Sequence, residues 1–417
     1  MNRALIIIWT LLASSGLAAQ VTTSLVYQQN RDRVVQIRVI DISADSKAAI
    51  GSGFIAGQSD WVVTNYHVVA EMVNNPVKNR VEWLADDNRS GELSLLAVDS
   101  VHDLALLRGV GLDEQPLSLS DQPPARGSRV YAMGNPFDLG MTIVEGNYNG
   151  LLEKSLYEKI HFTGSINPGM SGGPALDESG AVVGVNVATA GNQVSFLVPA
   201  FYVGALLSEG QNSTDKEMAF EQQVAGQLLS NQARYIEDLL LKDLTTTRLN
   251  GYIVPGALAD YINCWGNSST DASEPISLVR YRCQTSDDIF LSSLHTTGIV
   301  RYQHELLTTE QLAAWQFYKQ LENRAQYPQL LLSGDEQAVT DYACQNDFIR
   351  HGNLDLKVIY CLRGYRKFTG LFDAYMTVVS LINDKEALQS SLVLGGVSRQ
   401  NAQQFSKNFL QAFSYQP

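Results

Sequence analysis

The chain has 417 residues, of which 45% are hydrophobic and 18% charged, and a formal net charge of −13. That length suggests two or three domains, and the composition is that of a globular protein with a sizeable core. The acidic balance argues against a nucleic-acid partner and against adhesion to anionic membranes, because both need excess Lys and Arg.

The chain opens with MNRALIIIWTLLASSGLAAQ. Arg3 provides a positive start, Ala4 to Leu12 an apolar run, and Ser14 to Ala19 a zone of small residues. This layout predicts a secretory signal peptide over residues 1–19, cleaved after Ala18 or Ala19. An uncleaved anchor is the rival reading, but the apolar run is short for a bilayer span of ~20 residues. No later stretch is long and apolar enough to cross a membrane. The expected product is exported, to the periplasm or the medium, with no membrane insertion after cleavage.

From Val21 to about Ser208 short β-rich runs alternate with turn clusters: VVQIRVI, WVVTNYHVV, ELSLLAVD, DLALLRG, RVYAMG and AVVGVNVATA. Many short strands at close spacing predict an all-β barrel or sandwich over residues 20–210. Three residues stand out. His67 lies at the predicted end of an apolar strand, where a histidine is by default a satisfied core residue. Asp103 directly precedes the apolar run LALL, where a charge is costly unless partnered; its plain reading is a strand start. Ser171 lies in INPGMSGGP, which is also what a tight Gly/Pro turn looks like. Asp138 reads as a solvated turn carboxylate.

Six motifs in order resemble the trypsin-like serine proteases of the HtrA/Deg branch: GSGF (Gly51 to Phe54), TNYHVV (Thr64 to Val69), DLALL (Asp103 to Leu107), GNPFDLG (Gly134 to Gly140), INPGMSGGP and VSFLVP (Val194 to Pro199). The resemblance covers about 180 residues. It implies a chymotrypsin-like double β-barrel and a serine endopeptidase acting on proteins or peptides, with no cofactor and no metal. Ser171 would be the nucleophile, His67 its base, and Asp103 the group that orients the histidine. The N–H groups of Gly169 and Ser171 would form the oxyanion hole. Ser165, with Val194, Ser195 and Phe196 along the wall, implies a substrate-binding pocket for small to medium aliphatic side chains.

Gly169 to Gly173 also fits the G-x-S-x-G elbow of α/β-hydrolases, but that fold needs a helix after the serine and a later acid and histidine. Here Pro174 and a strand-turn-strand pattern follow. One departure from the HtrA/Deg pattern is Met170, where a polar residue is usual. A thioether there would alter the oxyanion loop or the cleft rim, and it leaves open a second reading: a catalytically weakened relative serving as a protein-binding module.

After Ser208 the composition changes. GQNSTDKE reads as a linker, and residues 211–245 as linker plus amphipathic helix, with apolar residues at helical spacing (Phe220, Val224, Leu228, Tyr235, Ile236, Leu239). No GLG-type carboxylate-binding loop is present to suggest a PDZ module. Residues 246–417 read as an α+β region and the candidate site for a protein partner. Two segments within it, about 250–330 and 331–417, resemble each other, each with two cysteines, a β-rich stretch and a final amphipathic helix; chance similarity is the alternative. The four cysteines lack a C-x-x-C pair, so disulfides rather than zinc are expected in an exported chain. Four cysteines allow three connectivities, and the duplication favours Cys264–Cys283 and Cys344–Cys361. His295, His304 and His351 have no ligand spacing and read as surface or core residues.

Overall fold

The computed structural model describes residues 22–191, 193–212, 220–269, 274–326, 332–380 and 383–416. The expected leader lies outside them, as does most of Gly210–Glu217.

A short helix, α1 (Thr23–Asn30), precedes two closed antiparallel barrels. The first comprises β1 (Val34–Asp41), β2 (Ser46–Ile55), β3 (Trp61–Thr64), β4 (Asn79–Leu84), β5 (Ser90–Asp99) and β6 (Leu104–Gly109), closing in the order β1-β2-β3-β6-β5-β4. The second comprises β7 (Arg129–Gly134), β8 (Thr142–Leu151), β9 (Ile160–Phe162), β10 (Pro174–Leu176), β11 (Val182–Gly191) and β12 (Val194–Pro199), in the order β10-β11-β12-β9-β8-β7. This is the double barrel expected of a chymotrypsin-like fold.

Side-chain alternation explains why the strands at the seam are apolar throughout. Successive residues of a strand face opposite sides. On β6, Ala105 and Leu107 point into the first barrel, while Leu104 and Leu106 join Trp61, Val63, Tyr131 and Leu176 in a core between the barrels. Both faces are buried, so DLALL shows no polar alternation.

One element differs from expectation. WVVTNYHVV is not a continuous strand: β3 stops at Thr64, Asn65 is the N-cap, and α2 runs over Tyr66–Asn74. Val69, Ala70 and Val73 bury one helical face against the first barrel. A run of β-branched residues hides this short helix in a sequence reading, because tertiary burial overrides its modest propensity.

Two helices follow the second barrel, α3 (Ala200–Asn212) and α4 (Phe220–Leu240). The amphipathic α4 spans two cores. Val224, Ala225 and Leu228 pack with the first barrel, and Tyr235, Ile236 and Leu239 with the C-terminal region.

That region contains β13 (Thr246–Leu249), β14 (Tyr252–Pro255), β15 (Ile262–Ser269), β16 (Ser277–Thr285), β17 (Ile289–Ser292), β18 (His295–Thr297), β19 (Val300–Thr308), α5 (Ala314–Gln326), β20 (Ala343–His351), β21 (Leu354–Gly364), β22 (Leu371–Ser380), β23 (Glu386–Ser398), α6 (Arg399–Gln411) and β24 (Ser414–Tyr415). Its main sheet has seven strands in the order β15-β16-β19-β23-β22-β21-β20. The two similar segments are halves of this one sheet, not separate modules: β19 pairs with β23 from Val300–Leu394 to Thr308–Glu386. Parity again divides the cores. Leu306 and Val378 face α4 and α6, while Leu307 and Val379 face α5. His304 is fully buried between the Ser390 hydroxyl and the Pro255 carbonyl, and burial holds its pKa down at about 3, so it stays a neutral core residue. Cys264–Cys283 and Cys344–Cys361 are disulfides, each joining directly opposed residues of an edge hairpin.

Each disulfide closes a loop of under twenty residues, which the chain-entropy model values at about 3 kcal/mol. Replacing Cys264 and Cys283 together by Ser should lower amide exchange protection across β15 and β16 by up to that amount. Protection of β1 and β6, in the first barrel, should not change.

Candidate active site

His67 sits in the first turn of α2, where backbone N–H groups lack helical partners. The Asp103 carboxylate fills that need from the turn that leads into β6, the neighbour of β3. Its Oδ1 accepts the His67 backbone N–H at 2.8 Å, and its Oδ2 meets His67 Nδ1 at 2.7 Å. The Asn65 side chain makes no cap bond to its own helix; its amide N–H instead donates to the Asp103 carbonyl at 2.8 Å. Asp103 has φ of +58°, a left-handed conformation that aspartate tolerates better than most residues.

The turn carrying Asp103 is braced on both sides. Asp99 accepts the His102 N–H at 3.0 Å and meets His102 Nδ1 at 2.7 Å, and the His102 ring stacks on Tyr202 at 3.7 Å. From α4, Gln227 accepts from the backbone and hydroxyl of Ser100. The His67 side chain is 27% exposed. Burial pulls its pKa down, but the charge and hydrogen bond of Asp103 more than offset this, so the pKa lies above the ordinary imidazole value.

Ser171 comes from the second barrel, in a turn whose carbonyls are tied back. The Gly169 carbonyl accepts from Ser52 Oγ at 2.7 Å, the Ser171 carbonyl from Ser52 N–H at 2.8 Å, and the Pro168 carbonyl from Phe137 N–H at 2.9 Å. A trans peptide points its C=O and N–H in opposite directions. Anchoring the Pro168 oxygen on Phe137 therefore turns the Gly169 N–H the other way. Among the described residues, the N–H groups of Gly169 and Ser171 have no protein acceptor. Gly169 has φ of +96°, and a Cβ there would lie 2.4 Å from the Asn135 carbonyl oxygen, so the turn requires glycine. Ser171 Oγ donates to the Val187 carbonyl at 3.3 Å, at the long end for a hydroxyl bond, and no hydrogen bond joins it to His67.

The Met170 side chain does not reach the cleft rim. It is fully buried in the second barrel with Ile166, Phe162 and Ala175, which explains why a thioether is accommodated. Of the expected pocket residues, Ser165 and Val194 are exposed and Phe196 is half-buried. Ser195 is different: strand parity turns it inward, where its Oγ accepts the Ile166 N–H at 3.2 Å. It braces the loop behind the pocket instead of lining the wall. Asp138 is more than a solvated turn residue. It accepts from Gln36 at 2.7 Å and pairs with Lys47, tying the Asn135–Gly140 loop to the first barrel.

Sequence reasoning missed three contributors. Ser52, inside GSGF, anchors the Ser171 turn and also accepts the Asn135 N–H at 2.9 Å; a small polar residue within a buried strand was its only signal. Phe137 acts through its backbone and left none. The third is the β17–β18 hairpin, which brings Phe290 to 5.8 Å from the His67 ring, edge-on.

A family model described as a trypsin-like peptidase domain matches residues 51–185. The chain is 30% identical over 220 residues to "Protease Do-like 1, chloroplastic" of Arabidopsis thaliana, covering 48% of this chain and 47% of that protein. It is 32% identical over 190 residues to "Protease Do-like 5, chloroplastic" of the same plant, covering 39% and 59%. With the "Probable periplasmic serine endoprotease DegP-like" of Chlamydia trachomatis it shares 29% over 181 residues, covering 39% and 35%. The matches thus span about half the length of the first two relatives and about a third of the third.

The His67–Asp103 clasp makes a prediction that needs no substrate. NMR titration should give His67 a pKa above the usual ~6.5. In Asp103→Asn the burial remains but the charge is gone, so the pKa should fall below that value.

Proposed function

We propose that this chain, whose residues 51–185 match a trypsin-like peptidase domain and which is similar to HtrA/Deg proteases, is an exported serine endopeptidase acting through His67, Asp103 and Ser171. One observation carries the reading. The carboxylate-held imidazole of one barrel lines a cleft together with Val187, whose carbonyl accepts from Ser171 Oγ of the other, and the Ser171 turn presents two N–H groups without a protein acceptor among the described residues.

Ser171 Oγ attacks the scissile carbonyl carbon while His67 Nε2 takes the hydroxyl proton. Asp103 holds the ring in the tautomer that leaves Nε2 free to accept, and it stabilises the imidazolium. The Gly169 and Ser171 N–H groups receive the oxyanion, each such donor contributing about 3–4 kcal/mol in the transition state. His67 then returns the proton to the departing amine, and water hydrolyses the acyl-enzyme by the reverse sequence. The long Ser171–Val187 bond is weak, and catalytic hydrogen bonds often tighten only once substrate is present. That bond is also what favours the second reading, a protein-binding relative with a disengaged serine.

Export is supported by the N-terminal Met1–Ala19 pattern and by the periplasmic relative's name. Relatives named for chloroplasts and mitochondria show that location varies within the group. Among the described residues no helix is long and apolar enough to cross a membrane.

A fluorophosphonate should label the wild-type protein at Ser171. Ser171→Ala should abolish labelling and lower peptide cleavage by more than about 10⁴-fold, with His67→Ala equivalent because the two act as a unit. An unlabelled wild type would favour the binding-module reading. The raised His67 pKa sets the sign of the pH profile: the base works only when neutral, so kcat/KM should fall as pH drops through a midpoint above ~6.5. With neutral Ser165 in the primary pocket, peptides cut after Val, Ala, Leu or Thr should outperform those with Arg or Lys there.

A further inference from the structure

Beside His67 lies a cleft of about 300 Å³ that the protease barrels alone do not enclose. One wall comes from Val101, Tyr157 and Val187 of the barrels, the other from Ile289, Phe290 and Thr296 of the β17–β18 hairpin in the C-terminal region. The hairpin is firmly seated. At its base the buried Asp287 carboxylate accepts from Ser155 Oγ at 2.6 Å, Leu156 N–H at 3.0 Å and Lys159 Nζ at 2.7 Å. Along its length Ile289 and Leu291 are buried with α2, and the Leu291 carbonyl accepts from Asn74 at 2.8 Å. Phe290 remains half-exposed over the cleft, its ring edge-on to His67 at 66°.

We propose that this hairpin builds the substrate subsite next to His67, with Phe290 as its specificity-determining side chain and an apolar substrate side chain as its occupant. The inference rests on the endopeptidase reading above. Side chains of an extended peptide alternate between faces. When the residue before the scissile bond fills the pocket at Ser165, Val194 and Phe196, the residue preceding it points the opposite way, toward His67 and Phe290. The wall it meets there is aromatic and aliphatic. The exposed carboxylates of Glu158 and Asp288 stand at the rim and disfavour an acidic side chain at that position. The C-terminal region thereby takes part in reading the substrate, although it supplies none of the proposed reacting groups.

The test uses the full chain and a peptide library with Val fixed before the scissile bond and the preceding position varied. Wild type should prefer Leu, Ile or Val there and reject Asp and Glu. Phe290→Ala should lower kcat/KM for the Leu, Ile and Val peptides about tenfold, the scale expected when an apolar wall is lost. It should also shift preference toward Phe and Trp, which refill the vacated space, while fluorophosphonate labelling of Ser171 persists. Asp288→Lys, an exposed change that leaves the core intact, should raise cleavage of the Asp and Glu peptides. Labelling with an unchanged preference in both variants overturns the subsite alone. So does a uniform rise for all peptides in Phe290→Ala, which would make the hairpin a cover. A wild type that fails to label overturns the endopeptidase reading and this inference with it.

Discussion

The Asp103 carboxylate holds the site together by grasping His67 twice, at the backbone N–H and at the ring. The first bond supplies the cap that lets α2 begin where it does, and the second orients the imidazole and raises its pKa. Helix start, ring orientation and proton affinity therefore depend on one side chain. That side chain needs a left-handed backbone, and the surrounding bonds of Asp99, His102 and Gln227 hold the turn in it. Removing any of these braces should act on the site through Asp103, not directly.

The second barrel applies the complementary logic. In the Pro168–Ser171 turn the carbonyls of Pro168, Gly169 and Ser171 are tied back, to Phe137 and Ser52, and among the described residues the Gly169 and Ser171 N–H groups have no protein acceptor. Ser52 belongs to the first barrel, so the donors of one barrel are aimed by the strands of the other. This is why the proposed active site lies at the seam: neither barrel alone holds both the imidazole and the oriented donors. Met170 contributes by being swallowed into the second core, which anchors the turn without intruding on the cleft.

The C-terminal region is bound into this arrangement, not appended to it. Helix α4 packs its first half on the barrel that carries His67 and its second half on the seven-stranded sheet. The buried Asp287 and its three donors fix the β17–β18 hairpin within reach of the imidazole. Removing Lys159 would leave the buried Asp287 carboxylate without its counter-charge. The sheet itself is continuous across its two similar halves, and each half closes its own edge hairpin with a disulfide.

Much of this was legible in the residues. The order of the motifs around His67, Asp103 and Ser171, the alternation of short strands, the helical spacing in α4 and the paired cysteine intervals are all local patterns. Each reports how a segment buries its own side chains, which is information a single sequence carries. What the sequence did not determine are the contacts that join distant segments. Ser52 to Gly169, Phe137 to Pro168, Asp138 to Lys47 and Phe290 to His67 leave no periodicity, because a hydrogen bond or ring contact across the fold needs only one suitable atom at each end. The strand reading of TNYHVV failed for the same reason: the cap that starts α2 comes from Asp103, 36 residues away. Residue types and their order set which chemistry is available to this protein, and only the tertiary structure decided which atoms meet to carry it out.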